Sequence, residues 1–264
     1  MAARRDRNRR RRRRGRFGVL YKLLSILIIF AAILIGCVAF FRINTIDVTG
    51  NSRYTAQEIM EASGVEVGDN LFLINRPQTA SNILRRLPYV ETAVPVQHLP
   101  DRVELRITEC VPVAALRIDG VWWRIDHRGK LLEQGDKSIS TGLPVVSGLH
   151  PVPPTLGGRL AAEIEEQTKL EGLRSLRGAL TQRGMAENVT DFIDLTSSGT
   201  IYFGYGNDLT VAVPVSGDFE LRVFSLQAVM DTFAQRGERV AGTLDLTYGD
   251  DRARLLTERW LPKS

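Results

Sequence analysis

The longest apolar run of the chain is LLSILIIFAAILIGCVAFF, Leu23–Phe41, nineteen residues without a charge. A helix rises about 1.5 Å per residue, so the run covers roughly the 30 Å of a bilayer core. It predicts one transmembrane helix over 23–41, with Tyr21 and Lys22 at the headgroups. No second run of that length is present. Beyond it the apolar positions become periodic. Ile46 and Val48 alternate with Thr45, Asp47 and Thr49, which predicts a strand that Gly50-Asn51 breaks. Thr55 and Glu58 have capping-box spacing, so a short helix should run to Ser63 and stop at Gly64. Leu71, Phe72 and Ile74 read as apolar plugs of a connection. Ala80, Ile83, Leu84 and Leu87 give a second helical face, with Pro77 at its first position and Pro88 past its end. Val90–Gln97 and Arg102–Thr108 come next as strands joined through HLPD. Val103, Leu105 and Ile107 alternate with charged residues, so one face of that strand is wet.

The second half reads as strands around two helices. WWRIDHRGKLLEQG predicts a hairpin turning at Arg128-Gly129. On it one of Trp122 and Trp123 faces the core and the other faces out, as a partner contact or a lid under a loop. A helix is expected from about Leu160 to Arg183, burying Leu173, Leu176 and Leu180. Strands are expected near 189–195, 200–205 and 209–213. A second helix after Ser216 carries Val223, Leu226, Met230 and Phe233 and ends at Gly237. GTLDLTYGDDRARLL closes the chain as a hairpin with its turn at 249–251. The fold class is therefore α+β.

Charge changes how the start of the chain is read. The 264 residues carry a net charge of +5, with 44% apolar and 25% charged residues. Residues 1–16 alone hold ten Arg against one Asp. With Lys22 also set aside, 24 basic and 29 acidic residues remain in 42–264. That part is mildly acidic and has no basic excess to follow a phosphate backbone, so no nucleic acid is expected as a partner. Arginines beside a span mark the cytoplasmic side and contact anionic lipid. They read as a basic cytoplasmic tail over 1–22 that sends 42–264 out of the cytoplasm. Leu34-Ile35-Gly36-Cys37 has the look of a lipobox, but apolar residues continue to Phe41, where a processed lipoprotein turns polar.

Candidate chemistry is sparse. His98, His127 and His150 have no companion at metal-ligand spacing, so no metal is expected. Asp126 and His127 read as exposed hairpin residues, and Asp191, Asp194, Asp250 and Asp251 as solvated surface charge. Gly204–Asp208 reads as a turn, since a phosphate loop would be followed by Lys and a helix. Cys110 reads as a buried strand residue. No catalytic residue, cofactor or small-molecule substrate is expected.

INTIDVTGNSRYTAQEIMEASGVEVGDNLFLIN and LPYVETAVPVQHLPDRVELRITECVPVA together resemble a POTRA domain, a β-α-α-β-β module, and closely resemble that of the bacterial FtsQ/DivIB family. The matching residues are Ile46, Val48, Gly50, Asn51, Gly68, Asn70, Leu71, Pro88, Val90, Val94, Pro100, Val103, Ile107, Glu109, Pro112 and Ala114. Leu99 and Cys110 depart from the commoner pattern, an aromatic before the Pro and Arg after the Glu. The resemblance implies a POTRA domain over 43–112, a β domain with two helices over 113–250, and a last strand and tail over 251–264. It implies a non-enzymatic division scaffold in the cell membrane at the septum. Its exported part would bind FtsB (DivIC) and FtsL and help control septal peptidoglycan synthesis. By position the partner-binding strand is 253–256, with Tyr248 opposite and Ala253, Leu255 and Tyr248 as contact residues. On pattern alone Leu255 is an outward anchor or a core residue. The other classes are a membrane-tethered cell-wall hydrolase and a POTRA-type assembly or secretion chaperone. The latter carries a C-terminal β-barrel that this length cannot hold.

Overall fold

The computed structural model of the chain describes residues 14–249 and 252–263, and in its first helix leaves out the side chains at 14–17, 34 and 37–39. The expectations for the first thirteen residues, the Cys37 side chain and Asp250-Asp251 lie outside the described residues. The first helix, α1, spans Arg14–Phe40. Its described side chains from residue 18 on are all exposed, around the whole helix. Among the described residues no helix is long and apolar enough to cross a membrane. The span expected over 23–41 falls within α1 except for Phe41.

The first domain has a three-stranded sheet under two helices. Its elements are β1 (Thr45–Thr49), α2 (Ala56–Ser63), α3 (Arg76–Arg86), β2 (Val90–His98) and β3 (Arg102–Glu109). The predicted capping box forms: the Glu58 amide donates to Thr55 Oγ1 at 3.2 Å, and the Thr55 amide to Glu58 Oε2 at 2.8 Å. Gly64 ends α2 in the left-handed conformation. Arg76, not Pro77, is the first residue of α3, which Asn75 caps through its side chain. β3 takes the middle of the sheet, parallel to β1 and antiparallel to β2. Ile43, Ile59, Leu71, Ile83, Val90, Val103, Leu105 and Ile107 form the core. Each fully buried aliphatic side chain contributes about 1.5–3 kcal/mol, against about 0–1 kcal/mol for an exposed ion pair, so this core holds the domain. Leu71 is the buried plug, while Phe72 stays exposed beside Phe41. Gly50 has a positive φ, and a Cβ there would strike the Ile107 carbonyl. Only glycine lets the chain leave β1 so close to β3.

The second domain is one nine-stranded sheet. Its strands are β4 (Ala114–Ile118), β5 (Val121–Ile125), β6 (Leu131–Gly135), β7 (Val145–Ser147), β8 (Val189–Asp194), β9 (Thr200–Tyr205), β10 (Leu209–Pro214), β11 (Gly242–Asp245) and β12 (Arg254–Leu256). The spatial order is β12-β11-β10-β9-β8-β7-β4-β5-β6. Helix α4 (Gln167–Gln182) joins the parallel neighbours β7 and β8, and α5 (Phe219–Arg236) joins the parallel neighbours β10 and β11. Two antiparallel steps through β9 leave β8 and β10 parallel, so both crossovers run the same way across the sheet. Crossovers of one hand then put both helices on one face. They do pack together there, over a core that includes Leu173, Leu176, Leu180, Val223 and Leu226.

Several expectations are corrected. Helix α4 starts at Gln167, seven residues after Leu160, because 157–160 is a turn bonded to the β5–β6 hairpin: the Gly157 amide reaches the Leu131 carbonyl at 2.8 Å and the Leu160 amide the Gly129 carbonyl at 2.7 Å. Asp126 is buried, not an exposed hairpin residue, and its Oδ1 accepts the amides of Arg128 (2.8 Å) and Lys130 (2.7 Å). Asp194 is also buried and accepts from the Ser147 hydroxyl at 2.9 Å and from Thr196. Trp123 faces the core and Trp122 is half-buried.

The hairpin turn that Asp126 shapes ties the two domains together. From it Lys130 Nζ donates to the Val90 carbonyl at 2.7 Å, and Arg128 pairs with Glu91 at 2.9 Å. On β6, Glu133 accepts from Tyr89 Oη at 2.5 Å and meets Arg53 and Arg124, each at 3.3 Å. Arg53 also lies over the Tyr89 ring at 3.8 Å. Glu109 takes the amides of Ser52, Arg53 and Tyr54. Burial pushes its carboxyl up, but those three amides and Arg53 more than offset this and hold it below the usual range. Tyr89, Cys110 and Leu132 form a small apolar cluster against Tyr54 at the same joint.

Candidate partner-binding edge

The sheet order leaves β12 at one end, and that end is the candidate site. β12 is three residues long and antiparallel to β11, with Arg254 opposite Asp245, Leu255 opposite Leu244 and Leu256 opposite Thr243. Among the described residues no further strand of the sheet lies beyond it. An edge strand keeps main-chain donors and acceptors that an extended segment can pair with. Gly242 makes the β11–β12 approach possible: its φ is positive, and a Cβ would collide with the Leu256 carbonyl.

Neighbouring residues on a strand face opposite ways, which sorts the two leucines. Leu255 stands opposite Leu244, a core residue, so it lies on the helix-covered face but at its margin, 40% exposed. Leu256 stands opposite Thr243 on the other face, 36% exposed. Both offer apolar surface at the edge. The expectation for this strand named Ala253 and Leu255 and left out Leu256. The adjacent pair Leu255-Leu256 was the signal that one leucine would face each way. Ala253 precedes β12 and is exposed.

Tyr248 is placed differently from the expectation. It lies in the 246–253 connection, outside both strands, so it is not the register partner of any β12 residue. Leu246 is buried and its amide reaches the Ala212 carbonyl at 2.9 Å, which extends the pairing beyond β11. Asp245 Oδ1 then accepts the Thr247 amide at 2.9 Å and turns the chain out, leaving Tyr248 58% exposed. Arg222 of α5 holds this connection by donating to the Gly249 carbonyl.

The tail after β12 folds back across the sheet on the face opposite the helices. Thr243 Oγ1 donates to the Glu258 carbonyl (2.7 Å) and accepts the Trp260 amide (2.8 Å), while Thr210 Oγ1 donates to the Trp260 carbonyl (2.8 Å). The Trp260 ring stacks on Tyr202 with centroids 4.0 Å apart and lies 5.8 Å from that of Phe192. Arg259 pairs with Asp191 at 2.8 Å. Asp191 is thus no free surface charge. The returning tail thus ties the chain that follows β12 to β8, β9, β10 and β11.

Among the described residues no group of His, Cys, Asp and Glu could hold a metal ion. His98 is bonded to Glu104 at 2.9 Å and His150 to Glu166 at 3.0 Å. The edge offers main-chain pairing and apolar contact.

Comparison with known proteins bears on the whole of this architecture. The family model "POTRA domain, FtsQ-type" matches residues 41–109. The cell division protein FtsQ of Anaeromyxobacter sp. (strain K) is 27% identical over 222 residues, 81% of this chain and 69% of that protein. FtsQ of Koribacter versatilis (strain Ellin345) is 32% identical over 108 residues, 40% of this chain and 31% of that protein. The cell division protein DivIB of Clostridium botulinum (strain Loch Maree / Type A3) is 24% identical over 186 residues, 70% of this chain and 71% of that protein.

Proposed function

The chain belongs to the FtsQ/DivIB family of cell division proteins, and we propose that it works there as a non-enzymatic scaffold. In this reading α1 anchors it in the cell membrane at the septum, with the arginine-rich start in the cytoplasm against anionic lipid and residues 42–264 on the other side. The all-round apolar exposure of α1 supports the anchor, because such a surface needs a lipid or protein cover.

The exported part binds FtsB/DivIC-type and FtsL-type proteins and so takes part in controlling septal peptidoglycan synthesis. The observation that carries this is the open edge of β12, with Leu255 and Leu256 on its two faces and Tyr248 exposed beside it. A partner segment adds a strand to β12. Main-chain bonds supply affinity, and alternate side chains meet Leu255, Leu256, Ala253 and Tyr248. A Lys at 255 would put a charge where the partner's apolar side chain lands. The test is Leu255→Lys in the full chain, folded by circular dichroism, with capture of the two partners from the same genome as readout. The expected result is at least a tenfold loss. Capture at the unaltered level would remove β12 from the interface.

A further inference from the structure

A cleft of about 510 Å3 lies at the junction of the two domains, four strands away from β12. Val111, Pro112 and Val113 of the interdomain connector, with Leu143, Pro144 and Val189, give it apolar walls. Arg177 of α4 lines it and is only 4% exposed. Its Nε has no hydrogen-bond partner, and Nη1 reaches the Ala186 carbonyl at 3.5 Å. Burial draws its pKa down to about 10, yet a guanidinium stays protonated at neutral pH. An unpaired buried cation is strongly unfavourable, so it calls for a counter-charge. The buried acids Asp126 and Asp194 both have donors, so Arg177 stands apart.

The acids that share the cleft do not answer it. Glu91 is paired with Arg128 at 2.9 Å. Glu109 is bound to the amides of Ser52, Arg53 and Tyr54. Glu187 is exposed and forms no ion pair with Arg177.

We propose that this cleft binds an acidic residue of an extended peptide, whose carboxylate becomes the counter-charge of Arg177. The guanidinium fork matches a carboxylate in two parallel hydrogen bonds. The volume lies in the range of ligand sites, about 300–1,000 Å3, and leaves room for apolar side chains flanking the acid. Val111 at the rim is 70% exposed and Gly142 is exposed, so a chain can pass through and continue on the surface. Its walls come from the connector and from the second domain, so the bound segment touches the joint itself. The inference uses no part of the family reading.

The test is NMR of the full chain in detergent micelles, labelled with 15N-arginine and read at the Nε–Hε signals. Arg177→Lys identifies the Arg177 signal by its loss. The probes are acetyl-Leu-Glu-Val amide, its Gln counterpart and hexanoate. The proposal expects a saturable shift of the Arg177 signal with the Glu peptide and at least tenfold weaker binding of the Gln peptide. In Arg177→Leu, the expected result is loss of Glu-peptide binding, read by titration calorimetry. If that variant does not fold, the Glu-against-Gln comparison in the unaltered chain decides alone. No saturable shift, or equal binding of both peptides, overturns the proposal. Hexanoate matching the Glu peptide overturns the peptide occupant and assigns the cleft to free carboxylates.

Discussion

Cys110 comes directly after β3, its amide donating to the Tyr89 carbonyl at 2.7 Å. Burial pushes its thiol up to about 12, with Lys130 only partly opposing this. The thiolate that reacts with disulfide reagents is therefore nearly absent at pH 8. In a Cys37→Ser chain, a thiol-specific disulfide reagent at pH 8 should leave Cys110 unmodified until denaturant is added, and rapid labelling of the folded chain would contradict the joint as described. Glu104 is the opposite case. Arg106 and then His98 hold its carboxyl down to about 2. A carboxyl lowered by folding adds stability above its unfolded pKa, about 4.3, and loses it as pH falls toward the folded value. Glu104→Gln should therefore lose less stability than the parent between about pH 4.3 and pH 2, read by chemical denaturation at each pH. Equal losses would show that Glu104 is not coupled to folding. Asp126 shows a limit of sequence reading at this scale. Next to His127 in RIDHRG it looks like any polar turn residue. Only the folded turn shows that two amides converge on it, so that Arg128 and Lys130 point at the first domain.

At the scale of elements, the tail after β12 sets how firmly the edge is held. Trp260 lies flat on Tyr202 and near Phe192, and its backbone is pinned by Thr210 and Thr243. Removing a half-buried aromatic ring that stacks should cost roughly 1–3 kcal/mol. At about 2–4 °C per kcal/mol for a domain of this size, Trp260→Ala should lower the Tm by several degrees. An unchanged Tm would mean the tail does not brace the sheet. Elements set by local rules were legible in the sequence: the Thr55–Glu58 box, the Gly64 and Gly237 stops, and the alternation of Val103, Leu105 and Ile107. Those set at a distance were not. The start of α4 was displaced by pairing of 157–160 with a hairpin some thirty residues earlier. The three-residue β7 is a strand only because β4 and β8 flank it. Tyr248 looked like part of a plain two-stranded hairpin, because the Asp245 turn that ejects it depends on side-chain geometry.

At the scale of the molecule, the joint and the edge are parts of one arrangement. Glu133 collects Tyr89, Arg53 and Arg124, while Lys130 and Arg128 reach back to β2. The first domain therefore sits beside the β5–β6 hairpin and reaches along the sheet as far as the cleft at β8, and β12 stands four strand positions beyond that. That separation leaves the edge clear of the first domain and open to a partner. Amide hydrogen exchange across the full chain, with and without FtsB/DivIC-type and FtsL-type proteins from the same genome, reads this directly. Bound partners should slow exchange at 254–256, where β12 gains a strand neighbour. Protection confined to other surfaces, with 254–256 exchanging at the unbound rate, would contradict it.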